Sequence, residues 1–142
     1  MDFLTEEAVY QKTSQQLTAL LYEGLIESIE EAIHYTKQKD YIKANKRLQK
    51  GNDILRRLGV GLKYDAGIIA HQLDALYNYM AEQLIEANIK KDIAIMETVL
   101  KIATEIAEAW NVAMKKQTSA QPSSPLMKKL SAYEQFITAY EE

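Results

Sequence analysis

Asp92–Lys116 reads DIAIMETVLKIATEIAEAWNVAMKK. Within it Met96, Val99, Ala103, Ile106, Trp110 and Ala113 recur in alternating steps of three and four, and Leu100, Ala107 and Met114 broaden the stripe. That rhythm puts the apolar side chains on one side of an α-helix, where they can pack against neighbouring helices. Three segments upstream repeat it.

Immediately before, Ala66–Ile89 carries Ile69, Leu73, Leu76, Met80, Gln83 and Ala87, widened by Tyr77 and Leu84, and a polar corner at Lys90–Asp92 joins the two helices. Further back, Asp40 is placed to cap a helix in which Tyr41, Ala44, Leu48, Gly51, Leu55 and Leu58 keep the same spacing. Gly59 stands where a helix often ends on a left-handed residue, so Gly59–Asp65 is expected to be a loop. The first predicted helix runs from Thr13, which with Gln16 forms a capping box, to about Lys39. Its residues fall in two stripes, Leu17, Leu21, Gly24, Ser28 and Ala32 on one and Tyr22, Ile26, Ile29 and Ile33 on the other, as in a helix covered on more than one side. Glycine inside a helix costs about 1 kcal/mol relative to alanine, so Gly24 and Gly51 are expected where helices approach closely.

Four amphipathic helices with short connections predict an all-α fold, an antiparallel up-and-down four-helix bundle. Residues 1–12 read as a short N-terminal arm, 13–116 as the bundle, and 117–125, QTSAQPSSP, as a flexible linker that holds both prolines of the chain. Beyond it, 126–142 is an amphipathic tail with Leu126, Leu130, Tyr133, Ile137 and Tyr140 on one side. This additional short C-terminal helix is marginal alone in water and needs a surface to dock on.

The 142 residues suffice for one domain with a real core, and five glycines and two prolines leave little turn chemistry for a many-stranded fold. No cysteine is present, which excludes disulfides, thiolate nucleophiles and thiolate metal sites. The opening MDFLTEEA lacks the pattern of a signal peptide, and no apolar run approaches the roughly 20 residues of a membrane span. The cytoplasm is the expected location, with no membrane insertion. A net charge of −3 argues against a nucleic-acid binder.

Catalytic and metal chemistry find little support. Glu31 and His34 make one Glu-x-x-His pair, whereas a carboxylate-bridged di-metal bundle needs two, so the pair reads as a solvated helix surface. Ala70-His71-Gln72-Leu73-Asp74-Ala75 resembles part of a histidine phosphotransfer motif, but Asp74 puts a carboxylate where a cation would help an incoming phosphoryl group. There is no glycine-rich phosphate loop. The basic residues of the second helix, Lys43, Lys46, Arg47, Lys50, Arg56 and Arg57, read as a solvated face. Nine Tyr and one Trp against two Phe favour side chains that bury a ring and keep a polar handle, as binding surfaces do.

Leu76-Tyr77-Asn78-Tyr79-Met80, continued by Leu84, Ala87, Asn88 and Asp92, resembles the signature of the flagellar secretion chaperone family FliS. Leu17 with Leu20-Leu21-Tyr22-Glu23-Gly24, Gly61-Leu62 with Gly67, Ile69, Ala70 and Leu73, and Glu108-Ala109-Trp110 are similar to further stretches of that family. The resemblance implies a chaperone with no cofactor and no reaction. Its implied partners are the disordered C-terminal segment of flagellin and the flagellar export gate, with a homodimer left open. It also implies client-groove positions at Leu21, Tyr22, Leu76, Tyr77, Tyr79, Met80, Leu84 and Asn88, some of them supporting the groove from the core. Tyr79 is the expected exposed contact, because it lies about 200° around the helix from Tyr77. The tail face of Leu130, Tyr133, Ile137 and Tyr140 either docks into the empty groove or stays free. Competing readings are a helical adaptor with another client and a phosphotransfer domain at His71.

Overall fold

The computed structural model describes the backbone of residues 6–65, 69–116 and 133, and the side chains of 13–62, 69–116 and 133. Among the described residues there are four helices and no strand: α1 Glu6–Lys37, α2 Tyr41–Asp65, α3 Ala70–Lys90 and α4 Ile93–Lys115. The expected linker, the tail apart from Tyr133, and the expected start of the third helix at Ala66 lie outside the described residues.

Two helices are longer than their sequence suggests. α1 begins at Glu6, so Thr13 is inside the helix and does not cap it. The preceding stretch EEAVYQK has no Gly or Pro to stop a helix, and nearby hydroxyls bond back into the helix, Thr18 Oγ1 donating to the Ser14 carbonyl at 3.1 Å. α2 runs through Gly59, Val60 and Gly61 to Asp65, which removes the expected loop at Gly59–Asp65. Leu58 and Leu62, four residues apart and both buried, carry the packing stripe past the glycines. Burial of that second leucine outweighs the propensity cost of about 1 kcal/mol per glycine.

The corners follow the expected chemistry. Lys39 takes a left-handed φ of 63°, the Asp40 N–H donates to the Tyr35 carbonyl at 2.9 Å, and the Asp40 carboxylate accepts the Lys43 N–H at 3.2 Å. Between α3 and α4, Lys91 is left-handed at φ 52°, and Asp92 Oδ1 accepts the N–H groups of Ala94 at 3.0 Å and Ile95 at 3.4 Å.

α1 packs on α2 and α4, and α3 completes the ring by packing on the same two. Residue pairings show each neighbour running the opposite way. Gly24 meets Ile54 while Glu31 meets Arg47, Gly51 meets Leu84 while Asn45 meets Asn88, and Gln15 meets Trp110 while Thr36 meets Met96. The core at the centre of the ring includes Leu25, Ile29, Leu48, Leu73, Met80, Leu84, Met96, Val99 and Ile106. Both interior glycines sit at close approaches, as expected. A Cβ on Gly24 would lie 3.3 Å from Ile54 Cδ1, and one on Gly51 3.2 Å from Leu84 Cδ1. No helix among the described residues is long and apolar enough to cross a membrane.

Candidate functional site

An open cleft runs between α2 and α3, with a cavity of about 480 Å³ lined by Asn52, Leu55, Arg56, Gly59 and Val60 on one wall and Asp74, Tyr77, Asn78, Ala81 and Ile85 on the other. The cleft exists because its walls carry small residues where two packed helices usually interdigitate. Gly59 has no side chain, with Asp74 Oδ1 3.8 Å from where a Cβ would stand, and farther along the cleft Ala81 keeps the α3 wall low. Leu55 and Tyr77 are buried and make the floor. Val60 is 63% exposed and Ile85 52%, so the rim is apolar on both sides, and Ile89, at 78%, continues it along α3.

Polar groups bound this strip. Arg56 pairs with Asp53 at 3.1 Å, and Asp74 accepts from Asn78 at 3.5 Å, so these charges stay at the wetter edge. At the other end Asn88 Nδ2 donates to Asn45 Oδ1 across the helices, Lys91 Nζ donates to Asn88, and the same ammonium lies 5.7 Å from the Tyr41 ring. Beside this end Lys90 donates to Glu86 at 2.6 Å, and that bond, with the Glu86 charge, holds the ammonium above the usual lysine range. A pKa raised on folding gives stability that is complete below the unfolded value and is lost only as pH rises through the folded one. This pair therefore leaves the cleft unchanged across neutral pH.

Behind the floor, the Tyr22 and Tyr77 hydroxyls hydrogen-bond, their rings lie 6.4 Å apart, and Trp110 sits edge-on to Tyr22 at 6.0 Å. Trp110 Nε1 donates to the Gln15 carbonyl at 3.4 Å. This aromatic cluster ties α1, α3 and α4 together behind one wall of the cleft.

Of the sequence-derived groove positions, Tyr22, Leu76, Met80 and Leu84 are core. Leu21 is half-buried against the core, Asn88 braces the end of the cleft, and Tyr77 lines it. Tyr79 corrects the expectation of an exposed contact, since it is only 6% exposed. Its angle was measured from Tyr77, which lies at one margin of the stripe. Measured from Met80, nearer the middle, Tyr79 is about 100° away, and a helix packed on two neighbours buries an arc that wide. Of the cleft lining only Tyr77 is among the expected groove positions, and the apolar wall residues Val60, Ala81 and Ile85 are not. Ala81, Ile85 and Ile89 form an apolar row in steps of four off the main stripe of α3, a signal present in the sequence. Val60 was hidden by the expected loop.

The other candidates remain surface features. His34 and His71 are exposed, Glu31 pairs with Arg47 at 3.4 Å, and no group of three metal-suited side chains occurs among the described residues. Arg47 also lies 5.9 Å from the Tyr35 ring, which draws part of the basic character of α2 into internal contacts.

Four packed helices with an apolar cleft, braced by polar clamps, define an all-helical bundle scaffold. A model of the family described as "Flagellar protein FliS" matches residues 4–117. The flagellar secretion chaperone FliS of Bacillus subtilis is 29% identical over 112 residues, covering 79% of this chain and 84% of that protein. The flagellar secretion chaperone FliS of Salmonella typhimurium is 33% identical over 107 residues, 74% and 79% respectively, and that of Escherichia coli 28% over 111 residues, 77% and 82%. The chain belongs to the FliS family, which is a family of chaperones and not of enzymes.

Proposed function

We propose that the chain is a cytoplasmic export chaperone that holds the disordered C-terminal segment of flagellin, keeps it from polymerising early and escorts it to the flagellar export gate, with an amphipathic stretch of that segment lying in the α2–α3 cleft. The observation that carries this reading is the apolar strip on both walls of the cleft, Val60 on α2 toward one end and Ile85 on α3 toward the other, over a floor of Leu55 and Tyr77. A helix laid in such a groove buries its anchors at successive turns while its polar face stays in water. A client that orders on binding loses conformational entropy, and burial along helix grooves offsets it.

The test is calorimetric titration of the full-length protein with the C-terminal segment of flagellin from the same source, set against Val60→Asp and Ile85→Asp. Both side chains are largely exposed, so the substitutions leave the fold close to its original stability. Each weakens binding by about tenfold or more if its side chain is an anchor. Equal affinity of both variants and the parent protein would remove the cleft from the client's path.

A further inference from the structure

Asn45 and Asn52 stand seven residues apart on α2, about two turns, and so share one flank of that helix. Ala81 and Asn88 have the same spacing on α3 and share the flank that faces it. Because the two helices run opposite ways, Asn45 meets Asn88, while Asn52 comes level with Ala81 where both line the cleft. The first pair hydrogen-bonds across the gap. The second has no such bond to make, since a methyl group neither donates nor accepts.

Asn52 Oδ1 is accordingly buried, and no group among the described residues donates to it. Buried polar atoms almost always have partners. An acceptor without one gives up its hydration for nothing, a loss that an apolar side chain of the same shape would avoid. α2 thus carries an amide where leucine would suit the free protein at least as well. The terminal torsion of asparagine is broad, so a small rotation turns the oxygen toward an occupant of the cleft.

The client segment brings many N–H groups, but inside a helix each is already bonded to the carbonyl four residues back, and only the first turn keeps its own free. Asparagine is among the residues best suited to cap such a turn. Along α2, Asn52 is the first residue to line the cleft, so a helix end beside it leaves the remaining length for apolar anchors. We propose that Asn52 caps the client in trans: its Oδ1 accepts a main-chain N–H from the first turn of the helix that the client forms against the cleft, and so fixes where that helix begins. This rests on the client reading above and adds a point of register to it. Apolar walls are non-directional and would accept the helix shifted by a turn, whereas one directional hydrogen bond selects a single position.

The experiment uses the full-length protein, Asn52→Leu, Asn52→Ala, and the flagellin C-terminal segment made with single backbone esters in place of successive peptide bonds, each removing one N–H. Calorimetric titration of every segment against the three proteins separates the client's internal hydrogen bonds, whose loss weakens binding to all of them alike, from a bond made to Asn52. One ester position is expected to weaken binding to the parent protein by about three- to tenfold and to have no such effect on either variant. Urea unfolding without client is expected to show Asn52→Leu at least as stable as the parent. Ester losses that match in all three proteins at every position overturn the cap, and a destabilised Asn52→Leu beside them assigns the amide to the free fold instead. Weaker binding by both variants with no ester position coupled to Asn52 overturns the main-chain contact in favour of a client side chain. If the parent protein does not bind the segment, or binds it equally well after Val60→Asp and Ile85→Asp, the client reading fails at the cleft and the cap falls with it.

Discussion

Gly51 and Gly61 occupy the same helix and have opposite surroundings. A Cβ on Gly51 would meet Leu84 Cδ1 at 3.2 Å and Leu25 Cδ1 at 3.7 Å, and both leucines are held in the fully buried core. A Cβ on Gly61 would meet nothing within 4 Å. Alanine gains up to about 1 kcal/mol over glycine inside a helix wherever its methyl group is unopposed. Overpacking a filled core costs about 1–3 kcal/mol. Gly61→Ala is therefore expected to stabilise the protein by about 0.5–1 kcal/mol, and Gly51→Ala to destabilise it by about 1 kcal/mol once the propensity gain is deducted. Urea unfolding of the two variants checks this, and a stabilised Gly51→Ala would mean that α2 can slide away from α1 and α3. Propensity treats the two glycines alike, so only the partner across the helix gap tells them apart. The requirement at Gly51 was nonetheless legible in sequence, because a glycine on an otherwise leucine-rich stripe has few other uses. The space beside Gly61 was not, since it depends on what α2 fails to touch.

At the scale of elements, the stripes of α3 and α4 and the Asp40 and Asp92 corners could be read directly, because both depend on residues within a few positions of each other. The start of α1 and the end of α2 could not. Hydroxyl and glycine signals mark a helix end only when packing beyond them stops, and at Leu62 it continues. The cleft was illegible for a related reason. It is made of what α2 and α3 leave unfilled between them, and its rim residue Val60 looks like part of a turn until α2 is known to pass through it. Asp92 offers a local test, because its carboxylate accepts two otherwise free N–H groups at the start of α4. Asp92→Ala is expected to lower stability by about 1 kcal/mol, and Asp92→Asn by much less, since the amide oxygen can still accept. Thermal unfolding of both variants measures the difference. Equal losses would show that the charge near the helix N-terminus, and not the hydrogen bonds, holds the corner.

For the molecule as a whole, the division of labour lies across the ring of helices. The Tyr22, Tyr77 and Trp110 cluster fixes α1, α3 and α4 in a packed body, while the α2–α3 face keeps an apolar cavity open. Such a cavity weakens the free protein slightly, since its walls forgo contacts that a filled interface would make. It becomes favourable only when an occupant arrives. Filling it permanently should therefore separate stability from binding. Ala81 lines the cleft and is half-buried, so Ala81→Trp points a large ring into space of about 480 Å³ without displacing the core beneath. Stability is expected to hold or rise by a few tenths of a kcal/mol up to about 1 kcal/mol, while affinity for the flagellin segment falls by about tenfold or more. The heat-capacity change of any residual binding should also become less negative, because less apolar surface remains to be covered. Urea unfolding and titration at several temperatures measure the two sides on one protein. A variant that gained stability and kept full affinity would place the client on another face of the bundle. Loss of both would mean that the ring had forced α2 and α3 apart.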